Sequence, residues 1–289
     1  MRAKLLARRP GRIRPGWDDK VLADWNGLMI AALAEAAQVF EQPSWLAAAR
    51  DAFEFVIADM TVAGRLSHSW RLGQARNPAT LEDYAHLARA ALALHEATGE
   101  IRFLAQAEAW VEILDRRYWD ATGGGYFTTA DDVGDVIVRT KNATDNAVPS
   151  GNGTLVGVLA RLFYLTGRAG YRDRAEALIA TFSGELNRNF FTLATLLNNN
   201  ELLQNALQIV IVGERGAADT QALLAAVYGR SLPNRILTVL APGEALPSGH
   251  PAHGKPRIKG AATTYVCRAA TCSLPITTAA GLSQSLALG

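Results

Sequence analysis

The stretch LMIAALAEAAQVF, residues 28–40, decides the fold because it predicts a helix that is apolar nearly all round. Only Glu35 and Gln38 interrupt its apolar surface. The next stretch, WLAAARDAFEF at residues 45–55, differs, because its apolar residues form one stripe and its charged residues lie opposite. A helix that is apolar on every side must be surrounded by protein, whereas a one-striped helix covers something else. The pair therefore predicts an inner helix followed by an outer helix.

The same inner and outer pair occurs three times along the chain. The aromatics that open the outer helices, Trp45, Phe103 and Tyr171, lie 58 and 68 residues apart. These periods exceed the roughly 33 to 47 residues of helical solenoid repeats, because a glycine-led insert follows each outer helix. The insert at 123–141 predicts a β-hairpin. Helical hairpins joined through long decorated loops predict a mainly helical, incomplete (α/α) toroid.

A different pattern begins at about residue 198. Segments 208–213 and 234–240 resemble strands and flank a helical segment at 219–229, which predicts a parallel βαβ unit. We therefore expect two parts: a partial toroid of helical hairpins over residues 1–197 and a small C-terminal α/β appendage over residues 198–289.

Composition excludes several classes of protein. The chain has 289 residues, 49% of them hydrophobic, and a net charge of +2. It is too apolar for a disordered chain, and no run of 18 apolar residues predicts a membrane span. Basic residues crowd the segment before Asp18, but the rest of the chain has no basic surplus, so nucleic acid is not an expected partner. That basic segment suits the tail of a helix from a longer parent protein better than a transit peptide.

Cysteine and histidine usage predicts neither disulfides nor a metal. Cys267 and Cys272 are the only cysteines, so we expect no disulfide framework and a reduced, cytoplasmic location. His250 and His253 precede them, but this spacing is not a familiar zinc pattern. We predict no metal and no other cofactor.

Polar and aromatic residues recur just ahead of each inner helix. Counting back nineteen or twenty residues from each marker aromatic gives Trp25 and Asn26, Asp83 and Tyr84, and residues 151–152. Equivalent helix starts should gather at one end of the ring around a shared cavity. Paired carboxylates could supply an acid and a base to a sugar-like substrate, so the predicted catalytic residues are Glu82 and Asp83. The predicted substrate-binding residues are Asp19, Trp25, Asn26, Tyr84, Arg139, Lys141, Ser150 and Asn152.

These binding residues have different expected roles. Trp25 would stack on a sugar ring, and Asp19, Asn26, Tyr84 and Asn152 would bind hydroxyl groups. Arg139 and Lys141 share one face of the predicted hairpin and could hold an anionic group. A solvated hairpin face explains this pair equally simply.

Ordinary helix capping competes with the functional interpretation. Asn, Asp and Ser are favoured N-caps, and Thr80 to Asp83 resembles a capping box. Ser150 has no adjacent base in the sequence and is interpreted as a cap rather than a nucleophile. The histidines at 68, 86 and 95 are interpreted as packing or surface residues rather than bases.

Five motifs occur in an order that resembles a known family. They are PGWDDKVLADWNGLMI at 15–30, LEDY at 81–84, GGYFT at 124–128, PSGN at 149–152 and YVC-x4-C-x-x-P at 265–275. Together they resemble the YyaL-type thioredoxin-domain proteins, which include the spermatogenesis-associated relatives. The resemblance covers essentially the whole chain.

The resemblance implies a fold and a larger context. Those proteins carry an N-terminal thioredoxin-like domain and then a toroid similar to N-acylglucosamine 2-epimerases and six-hairpin glycosidases. This chain resembles their C-terminal half only, so their thiol chemistry cannot be carried over. Three hairpins are visible where a closed ring needs six, and an open ring exposes apolar flanks. We therefore expect a missing thioredoxin-like domain or a second copy of this chain as a partner.

Two functions remain open on the sequence. The first is a carbohydrate-processing site, glycosidase-like or epimerase-like, at the starts of the inner helices. The alternative is a non-catalytic ligand-binding or regulatory module for the missing redox domain. Converging carboxylates would favour the first, and a polar mouth without them would favour the second.

Overall fold

The computed structural model describes residues 1–186 and 188–287. The elements follow in chain order: α1 (Arg2–Arg8), β1 (Val21–Leu22), α2 (Ala23–Val39), α3 (Pro43–Asp59), β2 (Thr61–Val62), β3 (Arg65–Arg71), β4 (Gln74–Pro78), α4 (Leu81–Thr98), α5 (Ile101–Arg117), α6 (Gly151–Thr166), α7 (Ala169–Leu186), α8 (Ala194–Gln204), β5 (Leu207–Val212), α9 (Ala218–Tyr228), β6 (Arg235–Leu240), β7 (Thr263–Arg268), β8 (Thr271–Cys272) and α10 (Ala279–Ala287).

The predicted inner and outer helices are confirmed. Helices α2, α4 and α6 pack side by side, and α3, α5 and α7 each pack on the outside of their hairpin partner. The first ten residues of α6, 151–160, are all buried, whereas α3 buries only Ala49, Phe53 and Val56. These three residues belong to the apolar stripe predicted for the first outer helix. The fold is therefore a partial (α/α) toroid.

Close backbone packing fixes the neighbouring inner helices. A Cβ atom on Gly27 of α2 would lie 2.7 Å from the carbonyl carbon of His86 in α4. Only glycine therefore allows this helix crossing without a shift of backbone. Gly99 and Gly167 end α4 and α6 in the left-handed region, where glycine carries no Cβ penalty.

Helix α8 packs on α6 as a fourth inner helix. The sequence pattern had indicated a change of architecture at about residue 198, which falls inside α8. Ala206 belongs to the hydrophobic core of the helical part, and the next residue, Leu207, belongs to the separate core of the α/β unit. The division at 197 and 198 itself stays a prediction.

The C-terminal part contains the predicted parallel βαβ unit. Strand β5 pairs with β6 in parallel, and α9 connects them. Strand β7 pairs antiparallel with β5, and β8 with β7, giving the order β6-β5-β7-β8. Cys267 and Cys272 face each other across the last pair and form a disulfide, although we expected no disulfide framework. The reason is the tight turn between β7 and β8, which brings two cysteines five residues apart into register.

The two inserts between hairpins fold differently. The first forms a small sheet in which β3 pairs with β1, β2 and β4. The second, at 123–141, was expected to be a β-hairpin, and that prediction is wrong. Within this described segment only Tyr126 makes a strand-like bridge, to Trp119. Side-chain hydrogen bonds to backbone groups hold this insert instead.

The α/β unit packs on the C-terminal ends of the inner helices. The Arg235 guanidinium lies 3.0 Å from a Glu96 carboxylate oxygen and 3.3 Å from one of Glu35. Arg215 donates to the carbonyl oxygens of Glu96 and Ala97, both at 3.1 Å. A cation at a helix C-terminus complements the carbonyl groups left free there. The α/β unit thus covers the C-terminal ends of α2 and α4, and the expected external partners stay predictions.

None of the helices in the described residues combines the length and the apolarity needed to cross a bilayer.

Candidate functional site

A buried carboxylate joins the starts of α2 and α4. Asp83, in the first turn of α4, is fully buried. One of its oxygens accepts from Asp24 N at 2.9 Å, and the other accepts from Thr80 N at 2.7 Å and from the Thr80 hydroxyl at 3.0 Å. The bond from Thr80 N is one half of the capping box that the sequence indicated, and in the other half the Thr80 side chain accepts from Asp83 N. Asp83 therefore satisfies backbone donors from two helix starts at once.

The same carboxylate holds an accessible histidine. His68 Nδ1, on the central strand β3, lies 3.0 and 3.1 Å from the two Asp83 oxygens. The His68 side chain keeps 32% of its surface exposed, whereas Asp83 keeps none. Across residues 1–186 and 188–287, no hydrogen bond is made by the other ring nitrogen, Nε2. In the neutral ring, a donor Nδ1–H on a carboxylate leaves a lone pair on Nε2.

A second carboxyl group lies beside this pair. Asp24 is buried, and its Oδ1 accepts from Trp25 N at 2.8 Å. Ligand-type atoms of Asp24, His68 and Asp83 all lie within 4.8 Å of one another. Burial, and after it the charge of Asp83, raises the pKa of Asp24. The hydrogen bond to Asp83 is the main reason that the pKa of His68 is also raised.

Asp24, His68 and Asp83 offer the ligand types that a metal ion needs, but their hydrogen bonds occupy much of this capacity. Both Asp83 oxygens already accept from backbone or hydroxyl donors, and His68 Nδ1 faces Asp83 rather than a shared centre. A metal ligand needs a free lone pair directed at the ion. The arrangement fits an acid and base pair better than a cation site.

The structure separates the two carboxylates that the sequence paired. Glu82 is half-buried and its Oε1 lies 3.4 Å from Gly151 N, at the start of α6, whereas Asp83 faces α2 and β3. Burial raises the pKa of Glu82. The carboxyl group that converges with Asp83 is Asp24, which the sequence analysis did not select.

The remaining residues near α2 are more open. Trp25 exposes 60% of its surface and lies next to Asp24. Asn26 Nδ2 donates to Leu22 O at 2.8 Å, which fixes the first turn of α2. Exposed Asp19 forms an ion pair with Arg71 at the end of β3. Of these, only Trp25 presents a large exposed aromatic side chain.

Three other predicted residues are engaged in the protein. The Tyr84 ring is fully buried, and its hydroxyl oxygen accepts from Leu66 N at 3.1 Å. Ser150 caps α6: its Oγ accepts from Gly153 N at 3.2 Å and donates to Ala143 O at 2.8 Å. Buried Asn152 accepts from Tyr126 N at 2.9 Å and donates to Tyr126 O at 3.0 Å. These contacts brace the helix starts and the second insert.

The two predicted anion-binding residues hold the second insert together. Arg139 donates to Thr129 O and Arg117 O. Lys141 Nζ lies 2.6 Å from an Asp120 carboxylate oxygen and from Gly124 O. Both cations are therefore satisfied by the chain and lie apart from His68 in the hydrogen-bond network.

His68 is the residue that sequence reasoning passed over. Its partner Asp83 lies 15 positions away on another element, so no helical or strand spacing connects them. The available signal was its place in the insert that immediately precedes the second inner helix. Asp24 carried a signal too, since it directly precedes the predicted position Trp25.

Comparison with solved structures defines the class of fold. A family 76 alpha-mannanase from Bacteroides thetaiotaomicron superposes with a TM-score of 0.51 over 64% of this chain and 53% of that one, at 14% identity. A cellobiose 2-epimerase from Spirochaeta thermophila superposes at 0.47 over 63% and 53%, at 20% identity. With the packing described above, the first of these places the chain in the (α/α) toroid class.

Sequence comparison gives the particular relatives. The chain is 34% identical over 292 aligned residues to spermatogenesis-associated protein 20 of Homo sapiens, which covers 95% of this chain and 37% of the relative. The chain thus spans little more than a third of the length of that relative, in its C-terminal portion. The resemblance to the spermatogenesis-associated proteins is confirmed. No family model matches the chain, and the thioredoxin-like domain stays a prediction.

Proposed function

We propose that the chain carries a proton-transfer site for a carbohydrate, with His68 as the base. One observation carries the proposal: a fully buried carboxylate holds one ring nitrogen of a histidine whose side chain is one-third exposed. An aspartate in this position fixes the tautomer and orientation of the ring and stabilises the imidazolium that forms. The proposed reaction is therefore isomerisation rather than hydrolysis.

The hydrogen bonds argue against hydrolysis by two carboxylates. Glycosidases need one carboxyl group to protonate the leaving oxygen and a second carboxylate to attack or activate water. Asp83 is fully buried and both of its oxygens are occupied, and Glu82 lies beside Gly151 instead. The predicted catalytic pair Glu82 and Asp83 would thus divide into a residue that positions His68 and a residue without a defined partner in the reaction.

The proposed step balances within the site. His68 Nε2 takes a proton from the carbon next to a sugar carbonyl, and the electron pair left behind moves onto the carbonyl oxygen. The Asp24 carboxyl, whose raised pKa favours the protonated form, donates its proton to that oxygen. His68 then gives its proton to the former carbonyl carbon, and the hydroxyl on the neighbouring carbon gives its proton to Asp24 as the new carbonyl forms there. This gives the isomer and restores both groups.

Two observations support a carbohydrate as the ligand. Trp25 presents an exposed indole beside Asp24, and such a ring can stack on the apolar face of a sugar. The solved structure with the same fold that superposes at a TM-score of 0.51 is an alpha-mannanase. Asp19 and Asn26 extend the polar rim on this side and would contact hydroxyl groups.

Solvent isotope exchange tests this proposal. The chain is incubated in D₂O with a panel of aldoses and ketoses, and incorporation of deuterium at the carbon next to the carbonyl is followed by NMR. We expect His68→Gln to lower the exchange rate by roughly 10² to 10⁴-fold, the usual contribution of a positioned base. His253→Gln, in an exposed residue of the α/β unit, is the matched control and should exchange at the wild-type rate.

A non-catalytic binding module is the second candidate. It is favoured by the different partners of the two carboxylates, since Glu82 accepts from Gly151 N and Asp83 accepts from Asp24 N. In that case a sugar would bind, Trp25→Ala would weaken binding, and no deuterium would be incorporated. Exchange that is absent in the wild-type chain, or equal in wild type and His68→Gln, would contradict the proton-transfer function.

A further inference from the structure

A cavity lies between the inner helices and the α/β unit. It has a volume of about 810 Å³ and is lined by α2, α4, α6 and α8 on one side and by the segment 228–235 on the other. His68 and Asp83 are not among its lining residues. The cavity is therefore separate from the proton-transfer site at the helix starts.

Two buried hydroxyl groups border this cavity without a partner. Thr154, on α6, is 4% exposed, and Tyr228, at the end of α9, is 6% exposed. Within the part of the chain that the structure describes, neither Thr154 Oγ1 nor the Tyr228 hydroxyl makes a hydrogen bond. Buried polar groups in folded proteins are nearly always paired, so two such exceptions at one cavity point to a missing hydrogen-bonding ligand.

The charges around the cavity favour an anion. Four arginines and two glutamates line it. Glu35 and Glu96 are both bound to Arg235, and Arg161 approaches Glu96 only to 4.0 Å. Exposed Arg89 forms no ion pair within residues 1–186 and 188–287. The cavity therefore keeps a positive surplus near Arg89 and Arg161, where a charged group would gain charge-assisted hydrogen bonds.

Polar amides complete the lining. Gln38 of α2 and Asn198 of α8 face the same space as the two hydroxyl groups. Amides can both donate to and accept from sugar hydroxyls, whereas arginine only donates. The combination of cations, amides and unpaired hydroxyls fits a ligand that carries an anionic group on a polyhydroxylated body.

We propose that this cavity binds a small polyhydroxylated anion of the sugar phosphate type. Its anionic group binds to Arg89 and Arg161, and its hydroxyls pair with Thr154 and Tyr228. Because Tyr228 belongs to the α/β unit and the other three belong to the toroid, the ligand bridges the two units. Binding therefore stabilises the folded chain as well as occupying the cavity.

Calorimetric titration of the full chain tests the proposal. The probes are glucose 6-phosphate, glucose and inorganic phosphate. We expect glucose 6-phosphate to bind at least roughly tenfold more tightly than either part alone, since it alone offers both groups. Arg89→Gln should weaken its binding by about tenfold or more. Arg116→Gln, an exposed helical arginine on α5 away from the cavity, is the matched control and should keep the wild-type Kd.

A second variant separates binding from folding. Tyr228→Phe removes a hydroxyl that costs stability while it is unpaired, so without ligand the melting temperature should rise by about 1 to 3 °C. The same variant should bind glucose 6-phosphate several-fold more weakly. His68→Gln should leave this Kd unchanged, so failure of the proton-transfer function does not affect this test. The proposal is overturned if glucose 6-phosphate does not bind, or if Arg89→Gln and Tyr228→Phe both bind with the wild-type Kd.

Discussion

The starts of α2 and α4 and the starts of α6 and α8 use the same device with different outcomes. Asp83 accepts from Asp24 N and Thr80 N at one corner, and Asp145 accepts from Ser150 N at 2.9 Å and Thr195 N at 2.8 Å at the other. Each carboxylate thus ties two helix starts together.

The difference between the corners is the histidine. Asp83 is fully buried and also holds His68, whereas Asp145 is half-buried and holds backbone N–H groups only. At one corner of the ring, the carboxylate that joins two helix starts also holds a histidine ring. Asp145 therefore serves as an internal control: it joins two helix starts but contacts no histidine within residues 1–186 and 188–287.

The largest expected effect is loss of the buried brace. Asp83→Asn should lower the free energy of unfolding by about 3 kcal/mol, because an amide nitrogen would then face N–H donors in a buried site. Asp145→Asn should cost about 1 to 2 kcal/mol, since water can replace part of its hydrogen bonding. Urea denaturation measures both. A larger loss in Asp145→Asn than in Asp83→Asn would reverse the ranking of the two corners.

Backbone packing should differ in the same direction. Gly27→Ala would place a Cβ 2.7 Å from the His86 carbonyl carbon, which is backbone. Gly153→Ala would place one 2.6 Å from Ser150 Oγ, which belongs to a side chain that can rotate, and 3.0 Å from Leu196 N. We expect losses of about 2 to 3 kcal/mol at Gly27 and about 1 kcal/mol at Gly153, after the better helix propensity of alanine is included.

Gly170, in α7, is the control for both glycines. A Cβ there meets nothing within 4 Å, so Gly170→Ala should be neutral or stabilising. Thermal or urea unfolding of the three variants checks the series. Equal losses at Gly27 and Gly170 would show that helix propensity, rather than the helix crossing, decides the effect.

A smaller effect of opposite sign is expected at Asp24. The pKa of Asp24 is higher in the folded chain than its ordinary value. The free energy of unfolding should therefore fall as the pH rises through the folded-state pKa, because the buried carboxyl group then ionises. Asp24→Asn keeps an oxygen for Trp25 N and removes the ionisable carboxyl group. The variant should melt at a higher temperature than wild type at neutral pH, and the difference should shrink towards pH 4. A lower melting temperature at neutral pH would show that the Asp24 carboxylate stabilises the site.

The smallest effect on stability is expected for His68→Gln. The raised pKa of His68 contributes stability that is fully present below its ordinary value of 6.5 and is lost as the pH rises through the folded-state pKa. Since the ring is one-third exposed, the contribution is screened and should stay within about 1 kcal/mol. Melting curves from pH 5 to 9 should show wild type and variant converging at high pH. If the two melting temperatures instead moved apart as the pH rose, the contact between His68 and Asp83 would not stabilise the protonated histidine.

The toroid was predictable because burial leaves a direct mark on composition. Residues 28–40 and 155–165 carry almost no polar side chains, and only a helix surrounded by protein tolerates that. Helix α8 was not predicted as a fourth inner helix, because its Asn198 and Asn199 make the sequence polar. These residues line a polar cavity, and in the sequence they resembled the beginning of a different domain.

The candidate site was only partly predictable. Helix-start positions predicted that the first turns of α2 and α4 lie together, and the bond from Asp24 N to Asp83 joins those two turns, whereas the binding role of Trp25 stays a prediction. The contact between His68 and Asp83 depends on how β3 docks against α4, and no local spacing encodes that contact. Tyr84 and Asn152 matched the same pattern, but their side chains point into the core and the second insert.

NMR titration of the His68 ring is the most direct test of the account, with its signal assigned by its loss in His68→Gln. We expect a His68 pKa above 6.5 in the wild-type chain, a lower value in Asp83→Asn and the wild-type value in Asp145→Asn. A His68 pKa at or below 6.5 in wild type, or the same shift in both aspartate variants, would contradict the claim that Asp83 positions His68 for proton transfer.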